Sequence, residues 1–348
     1  MTTVAVTAAS SPTGRALLAR LDADPAVERV VGLDAEPPPM PPATLDFRAC
    51  DLRDPVLAAQ LEGVDALVHL GCDDRLDADV DGRFGRTVAA TRNLLAAARH
   101  AGVRQVVHRS SALVYGAHPD NPVPLDESWP RRANPEYPPA HHHRLAEELV
   151  EDFADEHGDA RVALLRPPTV LGRGEDSPVV LHLQLPRLLT VAGHEPPLQV
   201  LHPDDLAAAL HHAVSAGLHG VRNVAAEGWL PLGDVATLVG RRRLTVPEAW
   251  AHAGARQLWR RRLWPLPPGG LAILMEPWVV RAEALRGEGW AATRSNREVL
   301  RAFAEEHRGW VRLGAGRQVR RRDLRLAGAG VAAGAAGAAA LTRRAKRR

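Results

Sequence analysis

The sequence predicts an α/β fold in which a doubly wound parallel sheet is followed by a smaller C-terminal lobe and a basic Ala/Gly-rich tail. Short apolar runs alternate with stretches of helical spacing through the first half of the chain, as in parallel sheets with right-handed crossovers. The alternation loosens after Gly172, and the last residues are rich in Arg, Ala and Gly. We therefore expect a core in residues 1–172, the remaining core elements and the lobe in 173–316, and the tail in 317–348.

The predicted strands are short apolar runs bounded by turn-forming residues. They cover residues 3–7, 29–34, 45–50, 65–70, 103–110 and 160–165, with one more at 198–202. The predicted helices carry apolar residues three or four positions apart. They cover residues 14–21, 86–100, 139–157, 204–215 and 233–240. Residues 246–312 lack this rhythm, and we expect them to form the smaller lobe over the carboxyl edge of the sheet.

The charges are unevenly distributed along the chain. The net charge of the 348 residues is +3, yet residues 317–348 hold ten Lys and Arg against one acidic residue, which leaves the rest net negative. The basic character belongs to the tail, so no nucleic-acid-binding core is expected. Two cysteines, Cys50 and Cys72, show no metal-ligand spacing, and we expect a reducing, cytoplasmic setting without a metal site. The first apolar run is too short for a signal peptide.

The first strand, turn and helix carry a damaged glycine fingerprint. A dinucleotide-binding unit needs these glycines for the turn, for close approach of the pyrophosphate and for helix–sheet packing. Residues 4–21, VAVTAASSPTGRALLARL, resemble the VTGAxGxIGxxLxxxL opening of extended short-chain dehydrogenases, the NAD-dependent epimerase/dehydratase family. Ala8, Ser11 and Gly14 then hold the three glycine positions, so only the last glycine is kept. The resemblance implies a Rossmann-type sheet that binds NAD weakly.

Further motifs follow in the family's order. Asp34 ends the second strand twenty residues after Gly14, where an acid binds the adenosine ribose and favours NAD over NADP. Asp51-Leu52 resembles the family's adenine contact, and the HLG of residues 69–71 resembles its HLAA stretch. LRPPTVLG at residues 165–172 resembles LRPxNVYG, whose backbone lies by the nicotinamide. The cofactor residues implied by the resemblance are Thr7, Ala8, Ser11, Thr13, Gly14, Asp34, Asp51, Leu52, Leu70, Gly71, Arg166 and Pro167.

The catalytic motif of the family is only partly kept. SSALVYG at residues 110–116 resembles SSAxVYG and gives Ser111 the serine role. The family continues with YxxxKxxxE, in which the tyrosine is the acid/base and the lysine lowers its pKa. Aligning on Glu147 puts His143 at the lysine position and Pro139 at the tyrosine position. Proline has no proton to exchange, and the only lysine of the chain is Lys346.

Tyr137 is a second candidate for the acid/base, paired with His141 in a rival register. A residue before proline is pushed out of helical geometry, so Tyr137 is expected in an extended segment before the helix. It would then share no helix face with His141. The catalytic candidates are therefore Ser111, Tyr137 and His143, with Tyr115 as a further phenol. The plainer interpretation of His141, His142 and His143 is a solvated start of the helix.

Two functions are left open by the sequence. One is NAD-dependent epimerase, dehydratase or reductase chemistry on a nucleotide sugar or a similar substrate, with impaired or lost catalysis, as the resemblance implies. The other is a non-catalytic module that binds a dinucleotide or a partner, for example a second copy in a homodimer. For the tail, we favour a solvated segment first, a contact with an anionic membrane surface second and a contact with nucleic acid third.

Overall fold

The computed structural model describes residues 2–71, 84–261, 263–264, 266–313 and 318–320. Seven parallel strands form its main sheet, in the order β11-β6-β5-β4-β1-β2-β3. These strands are β1 Thr2–Thr7, β2 Val27–Asp34, β3 Leu45–Ala49, β4 Ala66–His69, β5 Gln105–Arg109, β6 Arg161–Arg166 and β11 Gly220–Asn223. The fold class predicted from the alternation of strands and helices is confirmed.

Apolar residues explain why these strands are central. Val4, Ala5 and Val6 of β1 are fully buried, as are Val106 and Val107 of β5. Side chains of a strand alternate between the two faces of the sheet, so a continuous apolar run marks a strand that is covered on both sides. The two buried clusters that flank the sheet follow from this pattern.

Helices cover both faces of the sheet. In chain order they are α1 Pro12–Asp22, α2 Ala90–His100, α3 Pro138–Glu156, α4 Pro178–Leu183, α5 Pro203–Ser215, α6 Leu232–Leu238, α7 Glu248–Arg260, α8 Glu283–Gly287 and α9 Asn296–Glu306. Several begin with a proline in the first turn, where a missing N–H is tolerated. A short π-helical turn, Gly85–Ala89, precedes α2, so the predicted helix at 86–100 is a composite.

The later strands form small two-stranded pairs around the main sheet. They are β7 Thr169–Val170 with β10 Val200–Leu201, β8 Arg187–Val191 with β13 Arg242–Val246, β9 Pro197–Leu198 with β12 Leu230–Pro231, and β14 Trp310–Arg312 with β15 Gln318–Arg320. The predicted single strand at 198–202 is thus divided between two partners, one antiparallel and one parallel. The seventh strand of the main sheet comes from residues after 172, so the sheet is completed by the second segment of the chain.

The C-terminal lobe shares the core of the sheet. Trp264, Trp290 and Phe303 belong to the same buried cluster as Val4 and Val6 of β1. The predicted tail lies outside the described residues except for β15, which pairs with β14. Across the ranges that the structure describes, no helix combines the length and apolar character needed to cross a bilayer.

Candidate cofactor and active site

A cleft of about 920 Å³ opens at the carboxyl edge of the main sheet. Parallel α/β sheets bind ligands at this edge, where the strand order reverses direction. The reversal lies between β1 and β4, because β2 and β3 extend to one side and β4, β5 and β6 to the other. The ends of six strands contribute to the wall of the cleft, through Ala8, Asp34, Cys50, Leu70, Ser111 and Pro168.

The first turn keeps the shape of a glycine turn without most of its glycines. Ala8 has φ +49°, a left-handed conformation that favours glycine. A Cβ on Gly14 would lie 2.3 Å from the carbonyl oxygen of Ala8, so this glycine is required for α1 to pack against β1. Ser11 caps α1, since its Oγ accepts a 3.0 Å hydrogen bond from the Gly14 N–H. The serine at the second glycine position therefore binds its own helix and faces the cleft.

Two carboxylates, those of Asp34 and Asp51, lie in the lining of the cleft. The Asp34 carboxylate accepts hydrogen bonds from the Ser10 N–H at 2.9 Å and the Ser10 hydroxyl at 2.5 Å. Asp51 is paired with Arg53 at 2.6 Å, and the hydrogen bonds from Arg53 hold the pKa of Asp51 below its usual value. Burial, reinforced by Asp34, raises the pKa of the Cys50 thiol to about 11. Cys50 is therefore a neutral thiol in the wall of the cleft.

Ser111, Tyr137 and Pro139 also line the cleft. The Ser111 Oγ accepts a hydrogen bond from the Leu113 N–H at 3.2 Å. Tyr137 lies just before α3 with φ −110° and ψ 94°, so the expectation of an extended residue ahead of the helix is confirmed. Its ring is 1% exposed and packs against Gly270 of the C-terminal lobe. Pro139, in the first turn of α3, also lines the cleft.

His143 does not line the cleft. It is 1% exposed, and His142 beside it is 6% exposed, so a solvated start of the helix is a wrong interpretation for these two residues. The reason is that α3 packs its first turns inward, against the π-helical turn before α2 and the turn after β5. His143 lies close enough to His108 of β5 to help lower the pKa of that histidine, after the larger effect of burial. The His143 side chain is therefore buried in the core.

Tyr115 and Arg166 belong to a buried network behind the cleft. Arg166 donates to both carboxylate oxygens of Glu147, at 2.8 and 2.7 Å, and to the Tyr115 hydroxyl at 2.9 Å. The Tyr115 hydroxyl in turn donates to the Asn223 Oδ1 at 2.8 Å. Burial raises the pKa of Tyr115. This phenol is outside the cleft lining, so we do not retain it as an acid/base candidate.

The cleft gathers most of the residues that the sequence singled out. Those that line it are Ala8, Ser11, Thr13, Asp34, Asp51, Leu52, Leu70, Gly71, Ser111 and Tyr137. Those that do not are Thr7, Gly14, His143, Arg166 and Pro167. Thr7 lies directly below, where its hydroxyl contacts His69 and accepts from the Leu70 N–H.

Sequence reasoning predicted Asp34 and Asp51 but missed six other charged residues of the cleft. They are Arg15, Arg53, Arg86, Arg109, Glu175 and Asp176. Arg109 was detectable, because it immediately precedes the SSALVYG motif and ends β5 at the carboxyl edge. Glu175 and Asp176 carried no such signal, since they lie between recognised motifs in a stretch without clear periodicity. Trp278, which the C-terminal lobe contributes to the lining, was equally unmarked.

These features define an α/β protein with a dinucleotide-type cleft. The profile of the family described as "NAD dependent epimerase/dehydratase family" matches residues 4–225. The chain belongs to the NAD-dependent epimerase/dehydratase family. An uncharacterized protein of Mycobacterium tuberculosis is 31% identical over 271 residues, which cover 73% of this chain and 70% of that relative.

Solved structures resemble the whole described fold. The dTDP-glucose 4,6-dehydratase DesIV of Streptomyces venezuelae, with NAD and TYD bound, matches with a TM-score of 0.69 at 20% identity, covering 88% of this chain and 97% of that one. MoeE5 in complex with UDP-glucose and NAD matches with a TM-score of 0.66 at 24% identity, covering 88% and 98%. At these identities the likeness concerns the fold.

Proposed function

We propose that this chain binds NAD in the cleft and is a catalytically impaired epimerase/dehydratase-like protein for a nucleotide sugar or a similar substrate. The observation that carries the proposal is Pro139, which lines the cleft where the family has its tyrosine. A proline at this position removes the acid/base without closing the cleft. Compared with the family's motifs, the cleft therefore keeps more of the residues that bind a ligand than of those that transfer a proton.

The fit of NAD rests on the position of the cleft and on its lining. The N-terminus of α1 opens into the cleft, where helix N–H groups and the helix dipole favour a pyrophosphate. Asp34 lines the adenosine end, so a 2′-phosphate would meet a carboxylate, which favours NAD over NADP. Ala8 and Ser11 replace glycines in the turn, and we expect weak binding for that reason. The related folds of DesIV and MoeE5, solved with NAD, support the same cofactor.

The residues at the reactive end have limited chemistry. NAD, when bound, supplies a hydride acceptor. The Ser111 hydroxyl is suited to donate a hydrogen bond to a substrate oxygen from the wall of the cleft. Tyr137 is the phenol of the described lining and is our candidate for holding the exchangeable proton. The described residues supply no lysine ammonium to stabilise its phenolate, because Lys346 is the only lysine in the sequence.

The first test is a calorimetric titration of the full chain with NAD and with NADP. We expect saturable binding of NAD with a dissociation constant above about 10 µM, and weaker binding of NADP, because two fingerprint glycines are replaced and Asp34 faces the ribose. Asp34→Asn is expected to narrow the preference for NAD over NADP. Failure of both dinucleotides to bind would contradict the proposal.

The second test restores the family motif. Pro139→Tyr combined with His143→Lys recreates YxxxKxxxE in register with Glu147. We expect turnover of UDP-glucose or dTDP-glucose to rise at least about tenfold over the native chain, because a general acid/base contributes about 10²–10⁴-fold. Pro139→Phe is the matched control, since it adds the ring without the hydroxyl.

The alternative is a non-catalytic dinucleotide- or partner-binding module. It is favoured by the buried position of His143 and the absence of a lysine near the cleft. Tyr137→Phe separates the two functions. Residual turnover that this change abolishes supports an enzyme that uses Tyr137, whereas NAD binding without turnover in the native chain and in Tyr137→Phe supports the binding module.

A further inference from the structure

The segment of residues 172–177, which follows β7, crosses in front of the N-terminus of α1. Gly174 lies against Pro12, since a Cβ on this glycine would be 3.2 Å from the Pro12 Cγ. Glu175, the next residue, accepts a long hydrogen bond of 3.5 Å from the Thr13 hydroxyl. Thr13 and Glu175 are 162 positions apart in the chain, and both line the cleft. A carboxylate of the protein itself therefore stands at the first turn of α1.

Two backbone donors of this turn already have protein partners. The Ser11 N–H donates to the Ala8 carbonyl, and the Gly14 N–H donates to the Ser11 Oγ. Pro12, at the first helical position, has no N–H. The Thr13 hydroxyl also lines the cleft, and it donates to Glu175. The positive end of the helix dipole adds to the attraction for this carboxylate.

We propose that Glu175 competes internally with the pyrophosphate of the dinucleotide. This inference rests on the proposed function and deepens it. The carboxylate of Glu175 occupies the electrostatic position that a pyrophosphate takes at the start of α1. A dinucleotide binds after the segment has moved the carboxylate away, or binds against its repulsion. Weak affinity then has two sources in this chain, the altered glycine turn and a built-in anion.

Space is available behind the segment. A second cavity of about 310 Å³ lies on its other side and is lined by Glu175, Asp176, Gln184, His307 and Trp310, among others. Gly174, Glu175 and Asp176 line both cavities. The segment contains two glycines, Gly172 and Gly174, and Gly174 has φ +87°. The Glu175 side chain has a polar cavity into which it is able to withdraw.

The test compares Glu175→Gln with the native chain in calorimetric titrations of ADP-ribose and of adenosine. ADP-ribose carries the pyrophosphate without the nicotinamide, and adenosine carries neither. We expect Glu175→Gln to bind ADP-ribose about tenfold more tightly, because one close negative charge is removed in a partly screened cleft. Adenosine binding is expected to be unchanged. The gain for ADP-ribose is expected to shrink when the salt concentration rises from 0.05 to 0.5 M.

Glu305→Gln is the matched control, since it removes the same charge from an exposed position of α9 that lines neither cavity. It is expected to leave ADP-ribose binding within about twofold of the native chain. Binding of ADP-ribose by the native chain with no gain in Glu175→Gln overturns this inference and leaves the proposed function standing. A loss of affinity in Glu175→Gln also overturns it, since Glu175 would then hold the ligand. No binding of ADP-ribose or NAD by either chain overturns both.

Discussion

Ala8 is the residue at which the first turn stores backbone strain. Its φ of +49° costs an L-residue about 1–2 kcal/mol, and the Gly14 packing beneath it holds the turn in place. Ala9, the next residue, is fully buried and has no positive φ. Ala8 thus has a backbone conformation that favours glycine, whereas Ala9 has a buried methyl group and no such conformation. The residue type is the same at both positions, so the sequence alone does not distinguish them.

We expect Ala8→Gly to raise the free energy of unfolding by about 0.5–1 kcal/mol. Relief of the left-handed strain exceeds the entropy that glycine loses on folding. Ala9→Gly is the matched control and is expected to lower the free energy of unfolding by about 1–2 kcal/mol, because it removes a buried methyl group without relieving strain. Urea unfolding of the two variants measures both changes. An equal loss in both variants would show that Ala8 is unstrained.

The helix α3 is the element that fixes the reactive end of the cleft. Pro138 and Pro139 begin it, Tyr137 precedes it, and Glu147 in its middle is fully buried. Glu147 pairs with Arg166 of β6, whose side chain is 3% exposed. Arg131 reaches the same carboxylate from the surface at 3.3 Å. The helix is therefore joined to the sheet by one buried ion pair, and to the loop before it by a second, partly exposed one.

Glu147→Gln is expected to lower the free energy of unfolding by about 3–5 kcal/mol. It leaves the Arg166 guanidinium buried without a compensating charge, and the cost of desolvating that charge is no longer offset. Arg131→Gln is the control on the same carboxylate and is expected to cost less than about 1 kcal/mol, since Arg131 is partly solvated. Chemical denaturation of both variants checks the contrast. Similar losses in the two variants would mean that the buried pair has no special weight.

The sequence predicts some features of α3 and not others. The proline pair predicted the start of α3 and the extended Tyr137, because proline restricts its own φ and the residue before it. The assignment of Pro139 to the tyrosine position rests on aligning Glu147 with the family's glutamate, and it stays a prediction. The sequence did not predict that His143 turns into the core or that Arg166 binds Glu147. Both depend on which faces of α3 and β6 meet, and the periodicity of one segment does not contain that information.

The same limit applies to the cleft as a whole. Parallel strands end at one edge, and this brings Asp34, Leu70 and Ser111 into the lining of one cleft. The resemblance to the family had implied a role for each of these residues. The contact of Thr13 with Glu175 joins a helix start to a loop 162 residues away. Strand and helix signals arise from neighbours in sequence, whereas this contact arises from the path of a loop across the finished sheet.

Across the whole molecule, buried histidines couple stability to pH. His69 and His182 are fully buried, and desolvation lowers the pKa of each to about 4. Desolvation also lowers the pKa of His108 well below its ordinary value, and His69, His143 and Arg109 lower it further. The His69 and His108 rings lie 5.1 Å apart, in neighbouring strands β4 and β5. The centre of the sheet therefore excludes protons that the unfolded chain binds below about pH 6.5.

We expect the free energy of unfolding to be constant from pH 8 to about pH 6.5 and to fall below that value. Each buried histidine has a folded pKa below its unfolded value, so the unfolded chain binds more protons as the pH falls, at up to about 1.4 kcal/mol per pH unit for each histidine. His108→Leu should make the decline less steep. Because neither ring nitrogen of His108 has a hydrogen-bond partner, this change should cost little at pH 7.5. His100→Leu, at the exposed end of α2, is the control and should leave the slope unchanged. Urea unfolding at half-unit steps between pH 8 and 5 measures the slopes. Equal slopes in the native chain and His108→Leu would show that His108 does not contribute to the pH dependence of stability.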